Sequence, residues 1–112
     1  MLSGSHAQGA SVAAGVLGCL KPGVNDATTS WEGMPHSTIA AQCCTATGQC
    51  RREHANECIA GDSQQLNGRI EALTYAQAVQ KCAGFGLQMC QQSCTGKGCY
   101  YNHHPVFTSL PC

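Results

Sequence analysis

Charged and aromatic side chains are both scarce in this sequence. Of its 112 residues, 11% are charged and 5% are aromatic, and the acidic and basic side chains cancel to a formal net charge of zero. A chain without a basic field does not attract nucleic-acid phosphates or anionic lipid. No run of residues approaches the roughly 18 apolar residues that a membrane-spanning helix needs. The sequence therefore predicts no nucleic-acid partner and no membrane span.

Motifs for catalysis and for metal binding are missing as well. No C-x-x-C pair occurs, and the spacing of Cys90, Cys94 and Cys99 differs from that of zinc knuckles. A redox or nucleophilic enzyme needs a thiolate of low pKa beside a base. His103 and His104 lie near Cys99 and keep this alternative open, but a paired cysteine in a glycine-rich turn explains Cys99 more simply. We expect no enzyme activity, no cofactor and no metal.

Large apolar side chains are few, whereas cysteine is abundant. The chain has 10 cysteines against one tryptophan, two phenylalanines and three tyrosines. So small a core leaves a chain of this length marginally stable, and small secreted domains compensate with disulfides. The even cysteine count therefore predicts a disulfide framework and a secreted, extracellular location. The cysteines predicted to pair are Cys19, Cys43, Cys44, Cys50, Cys58, Cys82, Cys90, Cys94, Cys99 and Cys112.

The pairing of these cysteines does not follow from the sequence. The adjacent residues Cys43 and Cys44 cannot easily bond to each other, so they are expected to bind two other segments side by side. Cys19 and Cys112 stand apart from the others. Either of them could tie its end of the chain to the remainder or form a bond to a neighbouring chain.

The cysteines divide the sequence into two parts. Residues 1–42 hold one cysteine among many Gly, Ala, Ser and Thr residues, whereas residues 43–112 hold nine. We interpret residues 1–42 as an extended arm that is disordered in a free monomer, because it buries too little surface to offset its ordering entropy. Within it, residues 10–20 suit an extended segment or a short helix, and residues 36–39 a short strand. Residues 43–112 are interpreted as a disulfide-stapled module.

One helix is predicted, over about residues 75–85. Thr74 and Gln77 form a Thr-x-x-Gln capping box at its start. Gly84 and Gly86 end it, one of them in the left-handed conformation. The buried stripe is expected to consist of Tyr75, Ala78, Val79 and Cys82.

Two strand patterns follow the helix. Residues 87–90 alternate as a short buried strand, and residues 104–110 place Val106, Thr108 and Leu110 on one face of a last strand. Together with the helix, they predict a small disulfide-rich α+β fold with one short helix, a few short strands and long loops.

Four groups of residues in the module carry a family resemblance. They are Cys43-Cys44 with Cys50-Arg51-Arg52; Cys58-Ile59-Ala60-Gly61; Leu73-Thr74-Tyr75-Ala76-Gln77-Ala78 with Cys82, Gly86-Leu87 and Cys90; and Gly96-Lys97-Gly98-Cys99-Tyr100-Tyr101-Asn102-His103 with Pro105-Val106-Phe107-Thr108. This pattern resembles a cysteine-rich extracellular module of secreted and surface proteins in microalgae and protists. The helix region alone is distantly similar to C-type lectin-like domains. The resemblance implies a secreted or cell-surface protein.

The arm motivates the functional prediction. If it is disordered in a monomer, its ordering requires a partner, and the simplest partner is another copy of the chain that accepts an added strand. Such head-to-tail donation does not close and produces fibres or arrays. We therefore predict an extracellular structural subunit that self-assembles through its arm as a filament, array or coat. The candidate interface residues are Val12, Val16, Leu20 and Trp31, and for Trp31 the alternative is that it covers the chain's own core.

The alternative function is a secreted carbohydrate-binding module. Its ligand surface would comprise the amphipathic rings and the amide of Tyr100, Tyr101, Asn102 and His103, in the stretch 100–104, although structural packing explains the same residues. The partners would then be glycans rather than other copies. The sequence contains no Asn-x-Ser/Thr sequon, and its candidates for O-glycosylation are Thr28, Thr29 and Ser30.

Overall fold

The fold was analysed in a computed structural model of the chain. The structure describes residues 2–3, 8–12, 15–21, 23–32, 34–54, 57–61, 70–91, 94, 99 and 101–109. The elements in these residues are β1 (Leu2–Ser3), β2 (Gln8–Val12), β3 (Gly15–Leu20), β4 (Cys43–Cys44), β5 (Cys50–Arg51), β6 (Glu53–His54), β7 (Glu57–Cys58), α1 (Tyr75–Gly84), β8 (Gln88–Met89), a 3-10 helix (Tyr101–His103) and β9 (Val106–Phe107). One helix with short strands and several disulfides makes a small disulfide-rich α+β fold, which confirms the predicted class.

Helix α1 begins at the predicted capping box. The Gln77 N–H donates to Thr74 Oγ1 over 3.3 Å, and the Thr74 N–H donates to Gln77 Oε1 over 2.9 Å. These two bonds satisfy backbone donors that have no partner inside the helix. Gly86 has φ +72°, so the glycine that follows the helix adopts the left-handed conformation, as predicted.

The buried face of α1 is narrower than predicted. Ala78 and Cys82 are buried and Tyr75 packs partly against the core, but Val79 is 39% exposed, so the prediction for Val79 was wrong. The reason is a covalent bond elsewhere in the chain. The disulfide between Cys82 and Cys43 holds the Ala78/Cys82 edge of the helix against β4, and Val79 lies on the flank of that edge.

Strand β4 is the centre of a three-stranded antiparallel sheet in the order β5–β4–β8. Cys43 lies opposite Arg51 and Met89, and Cys44 lies opposite Cys50 and Gln88. Strand β8 is the strand predicted over residues 87–90. The turn between β4 and β5 is closed by a 2.9 Å hydrogen bond from the Thr45 N–H to the Gln49 carbonyl. The sheet thus joins a local hairpin to the segment that follows the helix.

Four disulfides connect two segments of the chain in parallel order. They join Cys43 to Cys82, Cys44 to Cys90, Cys50 to Cys94 and Cys58 to Cys99. Their sequence separations, from 39 to 46 residues, are similar because both segments advance together. The adjacent cysteines 43 and 44 bind the helix and the strand after it, as expected. Cys19 is disulfide-bonded too. Cys112 lies outside the described residues. These bonds confirm the predicted disulfide framework.

The N-terminal strands pair with the last strand of the same chain. Ala10 and Ser11 of β2 lie opposite Phe107 and Val106 of β9 in an antiparallel ladder, and β1, β3, β2 and β9 form one closed sheet. The extended alternative is therefore correct for the described residues of the range 10–20, which belong to β2 and β3. The expectation that the arm is disordered in a monomer is wrong, because β9 supplies hydrogen-bonding partners that composition alone does not reveal.

Strand β9 is shorter and more deeply buried than predicted. Val106, Phe107 and Thr108 are all buried, and successive side chains of a strand point to opposite faces, so both of its faces are covered. Ala40 pairs with Val106 in an isolated parallel bridge. Of the strand predicted over residues 36–39, only the bridge of Thr38 to Ser30 is present. Leu110 lies outside the described residues.

One core unites both parts of the chain. Leu20 and Ile39 from the first 42 residues belong to the same buried cluster as Tyr101 and Phe107. Tyr75 meets Phe107 edge-on, with ring centroids 5.7 Å apart. The arm therefore contributes apolar surface to the core that the module lacks when taken alone.

Gly18 provides a first test of this packing. The Trp31 ring lies against its backbone so closely that a Cβ atom at position 18 would overlap the ring carbon Cζ2. We expect Gly18→Ala to lower the free energy of unfolding by about 1–3 kcal/mol, because overpacking forces the ring or the backbone to move. Urea unfolding followed by tryptophan fluorescence measures the loss. A Gly84→Ala control, at an open position of α1, is expected to show none. Wild-type stability in Gly18→Ala would contradict this packing.

Candidate functional site

The centre of the predicted ligand surface at residues 100–104 is buried. Tyr101 is 0% exposed, and its hydroxyl accepts a 2.9 Å hydrogen bond from the buried Ala60 N–H. A ring held in the core cannot stack on a sugar, so the assignment of Tyr101 to a glycan surface was wrong. His103 is exposed. Tyr100 and the side chain of Asn102 lie outside the described residues.

The ring of Tyr101 instead supports a buried arginine. The Arg52 guanidinium carbon lies 5.2 Å from the centroid of the ring. Its Nε donates a 2.7 Å hydrogen bond to Gln42 Oε1, and both side chains are buried. Burial disfavours the charged guanidinium and lowers the pKa of Arg52 to about 10. This cluster is enclosed, so its contribution is to the stability of the fold rather than to ligand binding.

A second buried polar group, His104, lies beside this cluster. Its Nδ1 donates a 2.7 Å hydrogen bond to the Thr38 carbonyl, and its ring lies 4.9 Å from the ring of His36. Burial is the main cause that lowers the pKa of His104. Nearby His36, His103 and Arg52 add to this effect, while the bond to Thr38 opposes it. The neighbouring His103 is exposed, so the two adjacent histidines differ in environment.

The depressed pKa of His104 predicts a loss of stability in acid. In the unfolded chain the pKa returns towards its ordinary value of 6.5. Below that pH the unfolded chain binds a proton at His104, whereas the folded protein does not bind it until the pH is lower still. The free energy of unfolding is therefore highest above pH 6.5, falls as the pH drops from there towards the lower folded-state pKa, and levels off below it.

Urea midpoints between about pH 7.5 and about pH 5 measure this effect. We expect the midpoint to decrease over that interval and the decrease to become smaller in His104→Gln. His103→Gln, which changes an exposed neighbour, is the matched control and should keep most of the wild-type dependence, because burial is the main cause of the lowered His104 pKa. If His103→Gln rather than His104→Gln reduced the decrease in the urea midpoint, His104 would not be its cause.

The predicted assembly residues are only in part available to a second chain. Leu20 is fully buried in the chain's own core, so its assignment to an interface was wrong. Trp31 is half-buried and packs against that core, as its alternative interpretation stated. The side chains of Val12 and Val16 lie outside the described part of the chain. Of the O-glycosylation candidates, Ser30 is exposed whereas Thr28 and Thr29 are half-buried.

A groove that the sequence did not reveal lies along the β5–β4–β8 sheet. Its volume is about 440 Å³, and it runs between the β4–β5 turn and the segment of β8. The residues that line it are Cys44, Ala46, Thr47, Gly48, Gln88, Met89, Cys90 and Gln91. Nothing in the local sequence marks it, because it forms only when β8 pairs with β4, and the paired residues are 44 and 46 positions apart in the sequence.

The groove combines a rigid floor with adaptable polar walls. The buried Cys44–Cys90 disulfide forms the floor. Met89 lies opposite Cys43, and its sulfur lies 3.8 Å from Cys82 Sγ in the main core on the other face of the sheet. Gln88 and Gln91 are exposed at its edge, and neither side-chain amide has a hydrogen-bond partner within the described residues. Both amides are thus available to a ligand as donor and acceptor.

A second disulfide lies directly behind this floor. Cys94 Sγ, bonded to Cys50, lies 3.6 Å from Cys90 Sγ and 4.0 Å from Cys44 Sγ. The four sulfur atoms all lie within 4.8 Å of one another. Two neighbouring disulfides therefore cross-link the β4–β5 hairpin to the segment that follows β8.

Fold and site together define a small, disulfide-stapled α+β domain with an open, uncharged groove. In comparisons with known proteins, no family model, no curated protein and no solved structure matches this chain. The resemblance to an algal and protist module stays a prediction. Among the described residues, the 10-residue helix α1 and every other helical segment fall short of the length and apolarity that a membrane crossing requires.

Proposed function

We propose that this chain is a secreted binding module whose groove takes a neutral, hydroxyl-rich ligand, namely an oligosaccharide of a cell surface or extracellular matrix. The observation that carries this proposal is the groove itself, with two exposed amides above a disulfide floor. Its volume of about 440 Å³ falls within the range typical of small-molecule sites.

The chemistry of the lining favours a neutral ligand. None of the lining side chains carries a charge, and Thr47, Gln88 and Gln91 provide hydroxyl and amide groups. A charged ligand would lose hydration there without gaining an ion pair. A sugar hydroxyl, in contrast, exchanges water for amide donors and acceptors at little cost.

The covalent framework favours an extracellular site of action. Interleaved disulfides persist in oxidising compartments and are rare in the cytosol. They also hold the groove in one shape before a ligand arrives, which reduces the ordering entropy lost on binding. A rigid, preformed groove is therefore what a small secreted binding domain requires.

A glycan array followed by calorimetry on the best hit tests this function. We expect Gln88→Ala combined with Gln91→Ala to weaken binding at least about tenfold, since two hydrogen bonds of about 1 kcal/mol each are lost. Gln80→Ala, on the exposed face of α1, is the matched control and should bind as the wild type does. An array without hits, or equal loss in the control, would remove the proposal.

Self-assembly is a second candidate, and one observation favours it. The N-terminal strands reach the rest of the chain through the β2–β9 ladder, and a second copy could supply the same β9 strand. In such an exchange the Cys19 disulfide would also form between chains. Non-reducing electrophoresis and light scattering over a concentration series test it. Covalent ladders and rising mass would support assembly, whereas a monomer at every concentration would remove it.

A further inference from the structure

We propose that Cys44, Cys50, Cys90 and Cys94 form a tetrathiolate site for a soft divalent metal, Zn²⁺ in the first instance, when their two disulfides are reduced. Two of the four ligands, Cys44 and Cys90, also line the groove, so metal binding replaces the disulfide of the groove floor. In the oxidised protein these sulfurs are bonded in pairs, Cys44 to Cys90 and Cys50 to Cys94. The same four cysteines thus form two disulfides when they are oxidised and bind a metal ion when they are reduced.

The spacing of the sulfur atoms matches a zinc tetrahedron. With Zn–S bonds of about 2.3 Å, the edge of a regular tetrahedron of thiolates is about 3.8 Å. Of the four distances between the two disulfides, the two from Cys94 bracket this length, at 3.6 Å to Cys90 and 4.0 Å to Cys44. The two from Cys50 are at most 4.8 Å. Only the two bonded pairs have to separate, and side-chain rotation provides that movement while the strands stay in register.

The backbone that carries these cysteines is held from both sides. Cys44 and Cys50 lie opposite each other in the β4–β5 hairpin. Cys90 follows β8, and its carbonyl accepts a 2.9 Å hydrogen bond from the Ser109 N–H. The hairpin and the segment after β8 therefore hold Cys44, Cys50 and Cys90 without the disulfides, and Cys94 follows Cys90 by four positions in the sequence. The spacing of the cysteines in the sequence gave no sign of this site, because its two halves come from segments far apart in the chain.

The surrounding charge is favourable to such a site. Four thiolates and one Zn²⁺ carry a net charge of −2, which needs nearby positive groups or N–H donors. Arg51 follows Cys50 directly, and its Nη1 donates a 3.0 Å hydrogen bond to the Cys50 carbonyl. The guanidinium is thereby fixed near the cluster without being buried.

The conversion of the two disulfides into a metal site is balanced when a dithiol is the reductant. Each disulfide receives two electrons and two protons from one dithiol, which leaves as a cyclic disulfide, and two disulfides thus yield four cysteine thiols. Binding of Zn²⁺ replaces the four thiol protons, which go to solvent. Oxidation by a disulfide reverses the sequence and releases the metal.

Among the described cysteines, this grouping is specific. It is the one set of three or more potential metal ligands that the described part of the chain brings so close together. The pairs Cys43–Cys82 and Cys58–Cys99 do not belong to it. Removal of one of these pairs is therefore a control that leaves the proposed ligands intact.

The test titrates the reduced full-length chain with Co²⁺, in the presence of a phosphine reductant that contains no competing thiol. We expect one Co²⁺ per chain, with the visible bands of tetrahedral coordination and a thiolate-to-metal charge-transfer band, both displaced by Zn²⁺. The double variant Cys50→Ser/Cys94→Ser should bind at least tenfold more weakly. Cys58→Ser/Cys99→Ser has the same number of cysteines and should bind as tightly as the wild type.

If both double variants lost metal affinity to the same extent, or both kept it, the proposal would be overturned. Metal binding would then depend on the number of cysteines and not on their position. A second measurement needs no variant. X-ray absorption of the zinc-loaded wild-type chain should show four sulfur neighbours at about 2.3 Å. Nitrogen or oxygen neighbours in their place would equally refute it.

Discussion

Replacing Cys43 and Cys82 together by alanine is expected to lower the free energy of unfolding by about 4–5 kcal/mol, whereas the same change at Cys50 and Cys94 should cost about 3 kcal/mol. The entropic part is similar for the two. With Cys44–Cys90 intact, each of the two disulfides closes a loop of only about ten residues, which corresponds to about 3 kcal/mol.

The difference between the two variants comes from burial. Cys43 and Cys82 are fully buried between β4 and α1, so their removal leaves unfilled space in the main core. Cys50 is only half-buried, and its neighbours can relax towards solvent. Urea denaturation under identical conditions compares the two variants. Equal losses, or a larger loss for the Cys50/Cys94 pair, would mean that the Cys43–Cys82 bond does not organise the core.

Replacing Arg52 by methionine is expected to cost about 2–3 kcal/mol, and adding Gln42→Leu to that variant should restore stability to within about 1 kcal/mol of the wild type. The single change removes the donor to Gln42 Oε1 and leaves a buried amide oxygen without its bond. Gln42 Nε2 is already buried without a partner among the described residues. A leucine at position 42 removes both unsatisfied atoms at once.

A double-mutant cycle measures this coupling directly. The two single variants and the double variant are unfolded in urea beside Arg51→Met, which removes the exposed neighbouring arginine and should change stability by less than about 0.5 kcal/mol. Additive losses at Arg52 and Gln42 would show that the two side chains act separately. In that case Arg52 would be stabilised independently of this amide, for example by the Tyr101 ring.

The local elements of this protein were predictable because their causes lie a few residues apart. The capping hydrogen bonds of Thr74 and Gln77 join positions three apart, and the left-handed Gly86 ends the same helix. The disulfide-rich α+β class followed from composition, since a chain with so few large apolar side chains requires cross-links. Strand β8 also lay where the alternation of residues placed it.

Two predicted surface residues were wrong, because their exposure had to be inferred. Tyr101 and Leu20 were assigned to surfaces, yet both are buried. An amphipathic ring beside an amide has the same sequence signature at a ligand surface and in a core, because only the surrounding chain determines whether water reaches it. The groove with Gln88 and Gln91 was missed for the converse reason, since exposed glutamines have no distinctive pattern.

The sequence by itself determined that this protein is cross-linked, that helix α1 begins at a capping box, and that the formal net charge is zero. Only the tertiary structure decided which cysteines bond, where the arm packs and where a groove opens. Those outcomes rest on contacts between residues about 40 to 100 positions apart, such as Cys44 with Cys90 and Ala10 with Phe107. Such pairings are selected by the total burial of the folded chain, which no local pattern of residues encodes.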